Sequence, residues 1–483
     1  MRNLKRAVLA MAVAAALSAC AVGPDYREPK LTVDGGFVGA GAGAVDLRAP
    51  ADDIATFWRG FNDPALTTLV ERGLAANGDV RIAKARLQEA RATLQGARAE
   101  LLPEIDLNGN AGRSLQPGYL LPGVPRSERF NNLYDASFVA NWELDFFGRL
   151  RRASESAAAQ VDAQAAGVHA AQTSITGDIA RYYIELRGLQ QRYDVAQQSL
   201  ANQRDTLRLT SVRLDAGRGS QLDVSRARSL YDSTEATLPA LQAAIERSAF
   251  RLATLTAQSP RFVLELLAAP APLPSLPVTD LAALPIGTPE QLLRRRPDLV
   301  VAERQLASAT ADIGVATADL FPRISLSGLI GFAATSGSDF GSRSSQQWSY
   351  GAGLTWPLLD FGRVRSRIDA SEARASQALA SYEQTVSTAL EETEGALSAF
   401  TRSAQQAERL GSASRFADDA TRISQLRFDA GSIDLLDVLD AQRQALAARD
   451  QLVQAQVGQA TALVSVYRSL GGGWIIEAPI ASR

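Results

Sequence analysis

Cys20 is the single cysteine of a 483-residue chain, and it stands directly after Leu17-Ser18-Ala19. Arg2, Lys5 and Arg6, then an apolar run from Ala7 to Leu17, precede it. That order is the pattern of a cleaved export signal. A cysteine at such a boundary is a lipobox, whose thiol is acylated and becomes the mature N-terminus. Each buried acyl CH₂ contributes about 0.8 kcal/mol, and several chains together make a durable anchor. With one cysteine the sequence excludes an internal disulfide, a thiolate metal site and cysteine catalysis. Asp434, Asp437 and Asp440 recur every third residue. At the start of a helix, such carboxylates are favoured by the dipole by about 0.3–1 kcal/mol each. Asp360-Phe361-Gly362 imitates a kinase signature, but no glycine-rich nucleotide loop or His-Arg-Asp triplet accompanies it. His169 is the only histidine, so neither a metal cluster nor a triad can be built around histidine. The expected chemistry is a covalent lipid on Cys20, with no catalysis, metal or other cofactor.

The whole chain carries a formal charge of −2, and loss of Arg2, Lys5 and Arg6 leaves about −5, without a basic block. Nucleic acid is therefore not an expected partner. After the leader no run approaches the 18 or so apolar residues of a membrane helix. A membrane crossing would have to use strands, closed into a barrel because lipid cannot satisfy an open sheet edge.

Two stretches repeat at one offset. Trp142 and Trp356, Phe147-Gly148-Arg149 and Phe361-Gly362-Arg363, Asp215-Ala216-Gly217 and Asp429-Ala430-Gly431, and Leu222-Asp223-Val224 and Leu436-Asp437-Val438 are each 214 residues apart. Constant spacing points to a duplicated unit. From Leu66 to Leu102 the pattern is helical and stops at Pro103. Ile105, Leu107 and Ala111 then alternate with Asp106, Asn108 and Asn110, and Ala136, Phe138, Ala140, Trp142 and Leu144 alternate with Ser137, Asn141, Glu143 and Asp145. Period two with one apolar and one polar face is the pattern of a membrane barrel strand. A second hairpin follows Pro322, with Ile324, Leu326, Ile330 and Phe332 on one face and Tyr350, Ala352, Leu354, Trp356 and Leu358 aligned beyond a polar loop.

Between Gly148 and Gly217, Val161, Val168, Ile175, Tyr182, Leu189 and Ala196 recur every seven residues. A heptad sustained that far predicts a supercoiled arm, and about 65 residues at 1.5 Å each reach roughly 100 Å. Gly362 to Gly431 predicts a second arm of equal length. At the arm ends, Gly217 and Gly431 suit a left-handed cap, and Ser220 and Ser432 suit the N-caps of returning helices. The organisation expected is a leader, 1–19; a lipidated extended segment, 20–62; a first repeat, 63–259, with a hairpin at about 104–146; a proline-rich connector, 260–290; a second repeat, 291–472, with a hairpin at about 323–360; and a tail, 473–483. Four strands cannot close a membrane barrel, whose smallest examples use about eight. Several chains must share one, and their arms are then drawn into a ring.

Cys20-Ala21-Val22-Gly23-Pro24-Asp25-Tyr26-Arg27-Glu28-Pro29 resembles the start of outer-membrane efflux lipoproteins. Leu292-Leu293-Arg294-Arg295-Arg296-Pro297-Asp298-Leu299, continuing through Glu303 to Ile313-Gly314-Val315-Ala316 and Phe321-Pro322, resembles the hallmark segment of the outer membrane factors of the TolC and OprM type. The resemblance covers nearly the whole mature chain. It implies an α+β membrane protein: a homotrimer with a 12-stranded outer-membrane β-barrel, four strands per chain, continuous with a long periplasmic α-helical barrel. It implies a passive exit duct for small molecules, docked to a periplasmic adaptor (membrane fusion) protein and an inner-membrane RND-type transporter. Ala21 after the cysteine, by resemblance to bacterial lipoproteins, favours outer-membrane lipid over inner.

The family closes its tunnel at the arm tips, and its acidic gate residues match Asp437 and Asp440; the first copy carries Asp223 and Arg226 at those places. Three carboxylates about 6 Å apart at an effective dielectric near 20 repel by roughly 3 kcal/mol per pair, so a ring of them would raise its own pKa values or recruit cations. Adaptor docking is implied at Arg213, Asp215, Gly217, Ser220, Arg427, Asp429, Gly431 and Ser432. The tyrosine and arginine that some members use as a latch read Phe428 and Ile433 here. Two other readings are a channel for type I protein secretion and a lipid-tethered periplasmic coiled-coil scaffold; the amphipathic strands argue against the scaffold.

Overall fold

A computed structural model describes residues 21–29, 36–38, 54–279 and 288–474. The expected leader, Cys20 and the tail beyond Trp474 lie outside the described residues. In chain order the helices and strands are α1 (Pro64–Ala76), α2 (Gly78–Ala99), β1 (Glu104–Leu115), β2 (Phe130–Leu144), α3 (Arg149–Asp215), α4 (Gln221–Glu235), α5 (Thr237–Thr256) and α6 (Pro260–Leu266). After the connector come α7 (Pro289–Arg295), α8 (Pro297–Ala318), β3 (Arg323–Ala334), β4 (Gln346–Thr355), α9 (Arg363–Asp429) and α10 (Leu435–Ser469).

The arms α3 and α9 are each 67 residues long. Several boundaries differ from the sequence pattern; among them, β4 ends at Thr355, so Trp356 and Leu358 lie beyond the strand. The helix expected from Leu66 to Leu102 breaks at Asn77, whose carboxamide oxygen accepts from the Asp79 and Val80 amides at 2.7 and 3.3 Å while its Nδ2 donates to the Leu255 carbonyl at 2.8 Å. Asparagine competes with the helix for its own backbone, and here the competition wins. The first return leg divides between α4 and α5 at Ala236, where Pro239 supplies no N–H to the carbonyl of Glu235. The proline-rich connector opens with the two-turn helix α6, capped by Ser259 Oγ accepting from the Phe262 amide at 3.2 Å.

The described chain forms two compact units. One holds residues 1–30, 86–164 and 301–383, and at its centre is a four-stranded antiparallel sheet in the order β1-β2-β3-β4. Directly opposed residues share a face. Leu107, Phe138, Ile330 and Trp348 therefore make one continuous apolar row, and Asn108, Ser137, Gly331 and Gln347 make a polar row on the other face. The apolar row is open: Leu107 is 67% exposed, Ile330 65% and Trp348 70%. The strands begin where Trp142 Nε1 donates to the Leu101 carbonyl (2.9 Å) and Trp356 Nε1 to the Leu320 carbonyl (3.0 Å), each indole holding the elbow before β1 or β3. The segment 21–29 lies in this unit. Val22 N–H donates to Phe147 O at 3.1 Å, and the buried Arg152 guanidinium reaches Val22 O, Gly23 O and Asp25.

The other unit, residues 31–85, 165–300 and 384–483, holds the main apolar core, including Trp58, Phe61, Leu66, Leu69, Ile179 and Ile184. Its polar groups are tied down. Tyr183 donates its phenol to Asp63 at 2.5 Å, and the other Asp63 oxygen caps α1 by accepting from Ala65 and Leu66. Arg296 is 7% exposed and makes four hydrogen bonds: it donates to both Asp298 oxygens (3.0 and 2.7 Å), to Glu392 (2.7 Å) and to the Ser469 carbonyl (3.3 Å). The hallmark Arg-Pro-Asp segment is thus the buttress that joins α8, α9 and α10.

Candidate gate and arm tips

Each arm ends in the same cap. Arg218 N–H donates to Arg213 O (2.8 Å) and Gly217 N–H to Leu214 O (2.9 Å); Ser432 N–H donates to Arg427 O and Gly431 N–H to Phe428 O, both at 2.9 Å. These are paired Schellman bonds, and they require a left-handed residue, which Gly217 (φ 69°) and Gly431 (φ 73°) supply. The return legs start differently. Ser220 is the N-cap of α4, its Oγ accepting from Asp223 N at 3.2 Å. Ser432 is not the N-cap of α10, as its sequence position had suggested. Its hydroxyl donates to Arg427 O at 3.0 Å, closing the preceding helix, and Asp434 takes the N-cap position.

Behind the caps lies a small apolar cluster of Ala227, Phe428, Leu435, Val438 and Leu439, with Ile433 packed against it. The Arg213 guanidinium sits over the Phe428 ring, 4.2 Å from its centroid. Phe428 and Ile433 therefore hold the tip elements of one chain together by packing, and Phe428 adds a cation–π contact with Arg213. Of the other tip positions, Asp429 accepts from Gln425 Nε2 at 3.2 Å, while Asp215 and the Arg427 side chain are exposed.

Asp437 is exposed and has no side-chain partner among the described residues; the same holds for Arg226. Asp440 is ion-paired to Arg443 and accepts from Gln444 Nε2 at 2.5 Å. Asp223 accepts from Ser220 Oγ at 2.7 Å. No described contact brings Asp223, Arg226, Asp437 and Asp440 together in one chain. No group of three or more potential metal ligands occurs among the described residues.

Two features carry no sequence signal of their own. The first is the arm-to-arm bracing of α10, tied to α3 by Arg192–Asp450 (2.6 Å) and to α9 by Arg449–Asp418 (2.7 Å). The second is a buried polar layer. Gln442 Nε2 donates to Thr206 Oγ1 at 2.9 Å, while Gln203, 2% exposed, has neither amide atom paired among the described residues. Electrostatics elsewhere serve structure: burial works to lower the Arg296 pKa, but hydrogen bonds and charge from Asp298 and Glu392 outweigh it and hold the guanidinium above its usual value.

The pattern of the outer membrane efflux protein family matches residues 69–258 and 288–472. The chain belongs to the outer membrane efflux protein family. It is 33% identical over 459 residues to nodulation protein T of Rhizobium leguminosarum bv. trifolii, covering 95% of each chain. It is 30% identical to the solvent efflux pump outer membrane protein SrpC of Pseudomonas putida, over 95% of this chain and 97% of that one. Among solved structures, the outer-membrane channel OprN aligns with 41% identity and a TM-score of 0.85, covering 94% of this chain and all of that one. The chain is thus an efflux protein of the outer membrane and an exit channel, not an enzyme.

Proposed function

We propose that three copies of this chain build the outer-membrane duct of a tripartite efflux system, passively conducting small molecules from periplasm to exterior. Each copy contributes two repeats, hence four strands to a 12-stranded barrel and its helical arms to a periplasmic tunnel. The observation that carries this reading is the sheet of one chain. Its apolar face is open and its outer strands β1 and β4 each pair on one side only. An edge and a face of this kind need lipid on one side and a further strand on the other. The match of the family pattern to two successive segments supports the duplication.

In this reading Cys20 carries the lipid, and the residues after it, held at Phe147 and Arg152, fix where the anchor leaves the molecule. The tips at Arg213, Asp215, Gly217, Ser220, Arg427, Asp429, Gly431 and Ser432 meet a periplasmic adaptor, which links the duct to an inner-membrane RND-type transporter. Asp437 and Asp440, repeated about the axis, form the acidic gate. Arg226, unpaired among the described residues, meets a carboxylate of a neighbouring copy and, with Asp223, holds the gate shut.

Conductance of the isolated oligomer in a planar bilayer tests the gate: Arg226→Glu or Asp440→Ala raises it several-fold above the parent. Unchanged conductance in both variants removes the gate assignment. Metabolic labelling with palmitate tests the anchor, and Cys20→Ser abolishes incorporation.

A further inference from the structure

Cross-strand pairing assigns every strand position to one face of the sheet. The face of the apolar row is made by the odd-numbered positions of β1 and the even-numbered positions of β2, β3 and β4, and Arg113 is the one charged residue among them. The acids of the sheet, Glu104, Asp106, Asp135 and Glu143, all lie on the other face. Arg113 stands near the loop end of β1, opposite Asn132. Asn132 is 10 residues (142 − 132) along β2 from Trp142, whose indole holds the elbow at the helical end. At about 3.3 Å per residue and a tilt of about 45°, that run climbs roughly 23 Å along a membrane normal, close to the ~25 Å apolar band of an outer-membrane barrel. Arg113 is therefore placed on the lipid side of the sheet, at the level where acyl chains give way to headgroups.

The guanidinium is exposed and lies over the Phe130 ring, 4.4 Å from its centroid. It has no carboxylate partner among the described residues, and a neighbouring copy would present the same face, which carries no acid. The loop end around it is cationic. Arg113, Arg126, Arg129 and Arg343 stand there against Glu128 and Asp339, a balance of +2 (4 − 2), in a chain that is formally −2 overall. None of these four arginines is ion-paired among the described residues. Toward the helical end from Arg113, the same face is low in relief: Ala111, Gly109 and Ala136 follow, and a Cβ at Gly109 would come no nearer than 3.9 Å to another atom, the Asp135 carbonyl oxygen.

We propose that Arg113 is a lipid site, its guanidinium gripping the phosphate of an outer-leaflet lipid whose acyl chain lies along Ala111, Gly109 and Ala136. The planar guanidinium offers a phosphate two parallel donors and stays charged at any working pH, Phe130 holds it flat, and Asn132 supplies a further donor beside it. A lipid fits better than a free anion because the cation sits on the apolar face with a strip for a hydrocarbon chain directly beside it. The site rests on the shared barrel proposed above, which puts this face against lipid and the loops at the outer surface.

Native mass spectrometry of the detergent-extracted assembly tests it, with a phosphorylated, acylated glucosamine disaccharide as the probe lipid. The parent retains one probe per copy, and the same lipid stripped of its phosphates is retained about ten-fold less. Arg113→Gln lowers retention by a similar factor, Ala136→Leu lowers it by filling the strip without changing charge, and Arg343→Gln leaves it as in the parent. Equal retention of the stripped lipid, or unchanged retention in Arg113→Gln, overturns the phosphate site. An equal loss in Arg343→Gln overturns it in favour of diffuse attraction to a basic rim, and displacement of the probe by equimolar inorganic phosphate overturns the lipid in favour of a free anion. In each of these results the assembly remains and the shared barrel stands; protein that proves to be a single chain removes the barrel, and the site with it.

Discussion

Arg296 shows how a surface-looking motif residue becomes structural. Removing one partner of a fully buried ion pair costs about 3–5 kcal/mol; here Arg296 is buried but Asp298 and Glu392 are about half-exposed, so the loss lies at or below the lower end of that range. Arg296→Ala is expected to lower the thermal midpoint sharply, whereas Glu392→Gln, which leaves Asp298 in place, costs clearly less; differential scanning calorimetry separates the two. Tyr183 gives a pH signature. Burial first, and the hydrogen bond to Asp63 second, raise its phenol above the usual value of roughly 10. A raised native pKa favours the protonated form in the folded state, so its contribution is complete below pH ~10 and is lost as pH rises through the native value. Urea midpoints should therefore fall from pH 9 toward pH 11.5, and Tyr183→Phe should flatten that fall; an unchanged slope would mean that the phenol does not set it. The acids that receive Arg296, one two residues on and the other 96 residues on, could not be read from spacing, since only packing brings Glu392 to it.

The elements were the most legible level, and for a definable reason. Period two in β1 to β4 and period seven in α3 report which face is covered, so strands and arms are legible in the residues, although β4 stops at Thr355, short of Trp356 and Leu358. The breaks at Asn77 and Ala236 were hidden because one asparagine and one proline act through particular carbonyls, not through a pattern. Ser432 was misassigned because serine at a turn can close the helix before it or open the one after it, and only the bond to Arg427 O decides. Within the arms, the amide of Gln203, unpaired among the described residues, marks a weak layer between α3 and α10. An unpaired buried amide costs about 1–3 kcal/mol, so Gln203→Leu should raise the thermal midpoint while Gln442→Leu, which also strips a bond from Thr206, gains less. At the tips a Cβ in the left-handed conformation costs about 1–2 kcal/mol. Gly217→Ala and Gly431→Ala should therefore each speed amide exchange in the last turn of their own arm; slower exchange there would argue against the cap.

Across the molecule, the proposed function depends on surfaces that one chain leaves incomplete. The candidate gate residues rest on resemblance at the second turn; among the described residues of one chain Asp437 and Arg226 have no side-chain partner, as the proposed closure about an axis shared by several copies requires. The same holds for the sheet, whose exposed apolar row and one-sided outer strands are stable only in lipid and beside another sheet. Native mass spectrometry of the detergent-extracted mature protein tests this most directly: the account predicts an assembly of three chains that loses its order only on heating, and a homogeneous single chain that stays soluble after the detergent is removed would contradict it.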